Sequence, residues 1–420
     1  MRKLFLLLLA GWLVFSNSCD NPTESKSNPY EQHAIEWPSL ADSPWPMYRH
    51  DPQFTGRSNF TGPQKGEITW SVSKPGVKSA KAFTSFAIGP DSSIYFGSSY
   101  EPVESGTQTW YLYAINPDGT TKWKFKDTEA EIYLMTGPLV TVDGNIIFGA
   151  PGKNNKGYVY AISPSGSLIW RYTVDSWIYT VVINIDQLGN LYFCDEYGSV
   201  YSLDKNGNLR WLLPSTDNFQ AHNFIGIPLS PDGQTIYIPN TSKNGSYLYA
   251  FSINGENKWI FNGGDSTSEI FTTPMVDSQG NIYFLLRKSQ SDTSVAGLYS
   301  IKSDGTLRWK FPGKINSYSE PTIDWDGNIY VYMNGFYTLK NNGELRFKFE
   351  SNDYLTGSLI CDRNSDIYAF SNTLYGFTSE GGLFLQVSLP CEVFSDFAID
   401  NQGSLIGGVP CNENRIIKIK

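Results

Sequence analysis

The sequence writes one short passage eight times. A glycine followed four residues later by an aromatic or bulky apolar residue occurs at Gly66/Trp70, Gly119/Trp123, Gly166/Trp170, Gly207/Trp211, Gly255/Trp259, Gly305/Trp309, Gly343/Phe347 and Gly381/Leu385. The steps between the aromatic positions are 53, 47, 41, 48, 50, 38 and 38 residues, close to the roughly 40 to 50 of propeller blades. From the second copy on, a small residue stands five places before the glycine: Ala114, Ala161, Ser202, Ala250, Ser300, Thr338 and Gly376.

A second ruler checks the first. Polar turn residues lead into an aromatic or β-branched run at Ser93, Asn145, Asn190, Thr235, Asn281, Asn328, Asp366 and Ser404, and the two series keep step. Each unit therefore has a fixed order of four short β-rich runs, here A to D. In the first unit they are 83–88, 94–98, 111–115 and 122–126. The first D-type run, 66–71, precedes any A, B or C, whereas the last unit has A, B and C and no D. Each end lacks what the other supplies. Pairing them completes a ring and removes two open sheet edges. The expectation is an all-β, eight-bladed propeller of four-stranded antiparallel blades, closed by an N-terminal strand beside the C-terminal blade.

Composition fits a large, turn-rich globular chain: 420 residues, 40% hydrophobic, 15% aromatic, 38 Gly. Residues 1–18 read as a signal peptide, with Arg2 and Lys3 before a 12-residue apolar run too short for a resident membrane helix. Its end, SNSC, resembles a lipobox, which implies a lipidated Cys19. Residues 20–42 are polar and aperiodic, so 19–42 is expected to be a lipid-bearing flexible tether. Residues 43–65 are expected to pack on the propeller, which spans 66–420. Loss of Arg2 and Lys3 takes the formal charge from −9 to −11, which disfavours nucleic acid and an anionic membrane surface as partners.

The stretch 45–58, WPMYRHDPQFTGRS, and the repeat AINPDGTTKW at 114–123 resemble secreted and lipoprotein members of the pyrroloquinoline-quinone-like β-propeller family. The resemblance covers residues 45–420. It implies a bacterial cell-envelope protein of the non-enzymatic branch, with Arg49 and His50 holding the N-terminal segment to the ring. The repeated aromatics Trp70, Trp123, Trp170, Trp211, Trp259, Trp309 and Phe347 are expected between neighbouring blades, with indole N–H groups offered to the next blade. Quinone-dependent dehydrogenases of this fold carry an adjacent Cys-Cys pair, and this chain has none.

Chemistry is sparse in the sequence. The propeller holds one histidine, His222, and no HxH, HExxH, CxxC or GxSxG pattern. Asp324, Asp326 and Asn328 begin like a calcium loop, but Gly335 stands where an EF-hand needs Glu. No catalytic residue, metal or cofactor is expected. Cys391 and Cys411 lie in two connections of the last blade and are expected to form a disulfide, with Cys194 and Cys361 as buried thiols.

The tight A–B and C–D turns share one face; the variable D–A and B–C connections share the other. The longest irregular D–A connection, 214–223, brings Phe219 and His222. Beside it stand Asp175, Trp177 and Tyr179, and these five make the candidate recognition patch. Two alternatives stay open: Trp177 and Phe219 plug the channel mouth, or the loop face binds a partner. That partner is an envelope protein, for a scaffold or assembly factor like the propeller lipoprotein of the outer-membrane β-barrel assembly machine. The other reading is a small ligand or glycan.

Overall fold

The protein forms a ring of eight sheets around a central axis. The structure, a computed structural model, describes residues 28–73, 84–100, 109–128, 136–178, 182–217, 219–221, 226–242, 244–288, 295–315, 320–349, 355, 357–390, 393, 396–410 and 414–420. Blade 1 runs A Ala87–Ile88, B Ile94–Tyr100, C Thr109–Ile115 and D Thr121–Phe125, each antiparallel to the next. The other blades repeat this order. Blade 4 keeps only a bridge, Leu229 to Ile236, in place of its A strand. Blade 5 adds a second inner strand, Ser268–Ile270, ahead of Met275–Val276.

The eighth blade is built from both ends of the chain. Ile68–Ser73 pairs antiparallel with Asn414–Ile419, which continues into Leu405–Pro410 and Ala398–Ile399. This closure gives the backbone donors of Asn414–Ile419 partners on both sides, where an open edge would recruit other chains. Burial grades outward along each blade. Strands B and C are almost wholly buried, whereas the D strands mix exposed and half-buried residues, as in Thr121–Phe125 and Leu209–Leu213. A D strand meets the neighbouring blade on one face and water on the other.

The repeated glycine and aromatic meet across blades. Gly119 lies against Trp70, Gly166 against Trp123, Gly207 against Trp170, Gly255 against Trp211, Gly305 against Trp259, Gly343 against Trp309 and Gly381 against Phe347. At Gly166 an added Cβ would stand 2.8 Å from the indole, and φ is +87°, so both contact and conformation demand glycine. The indole Nε1 groups of Trp70, Trp123, Trp259 and Trp309 donate to Pro117, Pro164, Ser303 and Asn341 carbonyls at 2.7–3.1 Å. Gly66 faces Leu385 and Val387 of blade 7, so the series closes on itself.

The A–B turns carry a lock of their own. In blades 3, 5 and 6, Asp186, Asp277 and Asp324 accept the backbone and side-chain amides of Asn190, Asn281 and Asn328, then the hydroxyls of Tyr192, Tyr283 and Tyr330 at 2.7–2.9 Å. The calcium-like pattern at Asp324 is therefore a turn whose carboxylate is already hydrogen-bonded.

Residues 28–65 cross the turn face and enter the channel. An innermost strand has one edge without a strand partner, and its N–H groups require acceptors. The N-terminal segment supplies them in turn: Ile88 donates to Trp45 O, Val140 to Pro46 O, Leu229 to Pro52 O, Val276 to Gln53 O and Cys361 to Gly56 O, at 2.7–3.0 Å. The expected tether is corrected here. Its part 28–42 is bonded to the ring, through Gln32 with Trp325, Ser278 and Gln279, and through Ala41 with Val140. Trp37 and Leu40 are buried, and these two apolar side chains were the signal hidden in a polar stretch.

Candidate functional site

The predicted patch lies on the loop face of blades 3 and 4, and the structure describes three of its five residues. Tyr179 and His222 lie outside the described residues, as do Cys19, Cys391 and Cys411. Asp175 is exposed and pairs with Lys156 at 2.5 Å. Trp177 is half-buried, and its Nε1 donates to Gly152 O of blade 2 at 3.0 Å. Phe219 packs edge-on against Tyr249 and Phe251 at 5.3 and 5.8 Å.

The B–C turn of blade 3 joins the two segments. Glu196 N donates to Trp177 O at 2.8 Å on one side of it, and Ala221 N donates to Gly198 O at 2.9 Å on the other. Within the turn, Asp195 accepts Tyr197 N, Ser199 N and the Tyr201 hydroxyl at 2.9–3.1 Å. Burial pushes the Asp195 carboxyl above its ordinary value, against these hydrogen bonds. Between the fixed ends stands Tyr197, 55% exposed. A strip Trp177, Tyr197, Phe219 results, with aromatic area on a backbone held from both sides. Tyr197 was missed in sequence because its exposure depends on the distant segments that hold this turn from either side.

The channel-plug alternative fails for Phe219. Its partners belong to strand C of blade 4, the third strand from the axis. The channel is filled instead by Met47, Tyr48, Arg49 and Phe54, all buried.

A second polar cluster lies inside that channel. Glu320, just before strand A of blade 6, accepts the Tyr48 hydroxyl, Ser358 Oγ at 3.1 Å and Thr273 N at 3.2 Å, with Arg49 Nη1 at 3.5 Å. Arg49 also donates through Nε to Phe54 O at 2.8 Å and through Nη2 to Pro321 O. Burial first, then the charge of Glu320, pushes Asp396 up to about 6. The same two causes push the Tyr48 hydroxyl well above its ordinary value. Arg49 thus pins the segment to the ring as a buried cation answered by a carboxylate.

Residues 109–332 match the family described as Outer membrane protein assembly factor BamB. The chain belongs to this family. No curated protein matches it. Among solved structures it is similar to BamB from Moraxella catarrhalis, 13% identical, TM-score 0.60, covering 84% of this chain and 100% of that one. It is also similar to the quinohemoprotein alcohol dehydrogenase from Comamonas testosteroni, 9% identical, TM-score 0.62, covering 89% and 80%. The Dos1 propeller is 12% identical, TM-score 0.61, covering 87% and 96%. At such identities the likeness is one of fold.

Membership in the BamB family accounts for the repeat and leaves the site to be argued from residues. Among the described residues no three or more His, Cys, Asp or Glu side chains stand close enough to hold a metal, and no helix is long and apolar enough to cross a membrane. Cys194 and Cys361 are buried; burial and the Asp324 charge hold the Cys361 thiol well above its ordinary range.

Proposed function

We propose that this BamB-family chain is a lipid-anchored scaffold of the bacterial cell envelope, tethered through Cys19, that grips a protein partner with the loop-face strip Trp177, Tyr197 and Phe219. One observation supports the reading: residues 28–65 pack across the turn face and into the channel, which leaves the opposite face as the one free for contact. That face carries the aromatic area that interfaces use as anchors, and Asp175 and Lys156 give it a polar rim. Asp175 belongs to the patch; we extend it to Tyr179 and His222 and include a Cys391–Cys411 disulfide, all four of these residues lying outside the described ones. The partner is an envelope protein, and the chain works without catalysis or cofactor.

The test is capture from detergent-solubilised membranes with the full chain, followed by the triple variant Trp177→Ala, Tyr197→Ala and Phe219→Ala. Capture of a defined partner is expected to fall at least tenfold, a loss of about 1.4 kcal/mol or more. Unchanged capture by the folded triple variant overturns the loop-face assignment.

A further inference from the structure

The approach to the seam is held by a turn that breaks the repeat. Blade 7 consists of A Ile360–Cys361, B Ile367–Phe370, C Thr373–Phe377 and D Leu383–Ser388, and residues 56–64 run along its A–B turn on the way to the closing strand. Ser58 N donates to Cys361 O at 2.8 Å, Arg363 N to Phe60 O at 3.1 Å and the Tyr368 hydroxyl to Pro63 O at 3.2 Å. Gly62 N donates to Asp362 Oδ2 at 2.8 Å, and a Cβ added at Gly62 would stand 2.5 Å from the Tyr368 ring. Just beyond this stretch, Glu67 and Lys420 exchange backbone hydrogen bonds at 2.8 Å, and the seam begins.

Asp362 opens its turn as Asp186, Asp277 and Asp324 open theirs. In those three blades the fourth residue on is Asn, whose side-chain amide donates to the Asp Oδ2 at 2.8 Å. In blade 8 the corresponding Asp400 is answered by Lys418 Nζ at 2.7 Å. Blade 7 puts Asp366 where the Asn belongs, with its backbone N donating to Asp362 Oδ1 at 2.9 Å. An amide donates at any pH, whereas a carboxyl donates only while it carries a proton. Two charged carboxylates in one such turn repel each other.

Asp366 faces acids and neutral donors. They are the Asp362 carboxyl, the Cys361 thiol and the Tyr368 hydroxyl of its own blade, and the Gln64 amide of the N-terminal segment. Asp324 of blade 6 and the Arg57 guanidinium face Cys361, while Arg363 and Lys65, the next cations along the two stretches, are exposed. Burial first, then the charge of Asp362, pushes Asp366 up to about 6 from an ordinary 3.8, and burial pushes Asp362 up against the backbone donors it accepts. A carboxyl raised in the folded state contributes stability that is fully present below its unfolded value and is lost as pH rises through the folded one. We propose that the blade 7 turn is a pH-sensitive latch on the seam. With a proton on Asp366 the Asp362–Asp366 pair closes as the Asp–Asn pairs do and holds residues 58–64; with both carboxylates charged it loosens them, and the closing strand Ile68–Ser73 frays with them.

The test is hydrogen exchange read by mass spectrometry on the full chain at pH 5.0 and 7.5, corrected for the intrinsic exchange rate at each pH. It is run in the Asp396→Asn background, so that the raised carboxyl in the channel does not contribute. Protection of residues 58–73 is expected to fall about tenfold from pH 5.0 to 7.5, the change that one carboxyl moving from 3.8 to about 6 produces over this range. Asp366→Asn, which restores the pair of blades 3, 5 and 6, is expected to keep the pH 5.0 protection at pH 7.5. Asp366→Ser, after Ser404 of blade 8, removes the same charge should the first variant fail to fold. The B strand of blade 5, Ile282–Lys288, is expected to exchange alike at both pH values. Equal protection of 58–73 at both pH values, a difference that both variants leave intact, or one shared equally by Ile282–Lys288 overturns the proposal.

Discussion

The two faces of the ring solve the same problem in opposite ways. Strand ends on the turn face are joined by short Asp, Asn and Gly turns, and the inner N–H groups of five blades donate to a single segment, residues 45–56. On the loop face the connections differ blade by blade, and backbone support is local, as where Trp177 and Ala221 hold the Asp195–Gly198 turn. Contact between the N-terminal segment and many blades makes the turn face stable and hard to vary. Local support lets the loop face change one blade without disturbing the next.

Removing the closing strand breaks the first side of that comparison most completely. Deletion of residues 59–72 strips Asn414–Ile419 of its partner and is expected to abolish cooperative unfolding and to drive aggregation, read by denaturant titration and sedimentation velocity. A monomer of native stability would show that the ring closes without it.

Glu320→Ala comes next. It leaves Arg49 buried without its carboxylate, at an expected cost of about 3 to 5 kcal/mol in denaturant unfolding. A cost below 1 kcal/mol would mean that the carbonyls of Phe54 and Pro321 suffice to hold the segment.

Asp396→Asn has the opposite sign. The folded carboxyl titrates near 6 against an ordinary 3.8, so between these values the native state binds a proton that the unfolded chain releases. Stability from this group is fully present at pH below 3.8 and is lost as pH rises through 6. The Asn variant is expected to be more stable than the parent at pH 7.5, by about 1 to 3 kcal/mol, and no more stable at pH 4. An equal difference at both pH values would place the cause outside this titration.

The smallest stability effect belongs to the loop face. Tyr197→Ala exposes no core, so its melting temperature is expected to stay within about 3 °C of the parent while partner capture falls. A large drop in melting temperature would erase the distinction between the faces.

Much of the ring is legible in the sequence. Gly119 and Trp123, with their seven counterparts, announce the period, and the displaced D strand at 66–71 announces the closure, because local turn chemistry and period-two burial are written in neighbouring residues. The end of the tether was not legible at 42: Gln32 and Leu40 gain their partners from blades 2, 5 and 6, more than one hundred residues away in sequence. Tyr197 was invisible for the same reason, since exposure at the tip of a short turn depends on what stands to either side.

The sequence by itself determined eight blades, their strand order and their seam, because repeats encode contacts between adjacent units and each copy confirms the others. The tertiary structure alone decided which residues fill the channel, which carboxylate answers Arg49 and which blades hold Gln32 and Leu40. Those groups occur once, come from distant stretches of chain, and meet only when the ring has closed around its N-terminal segment.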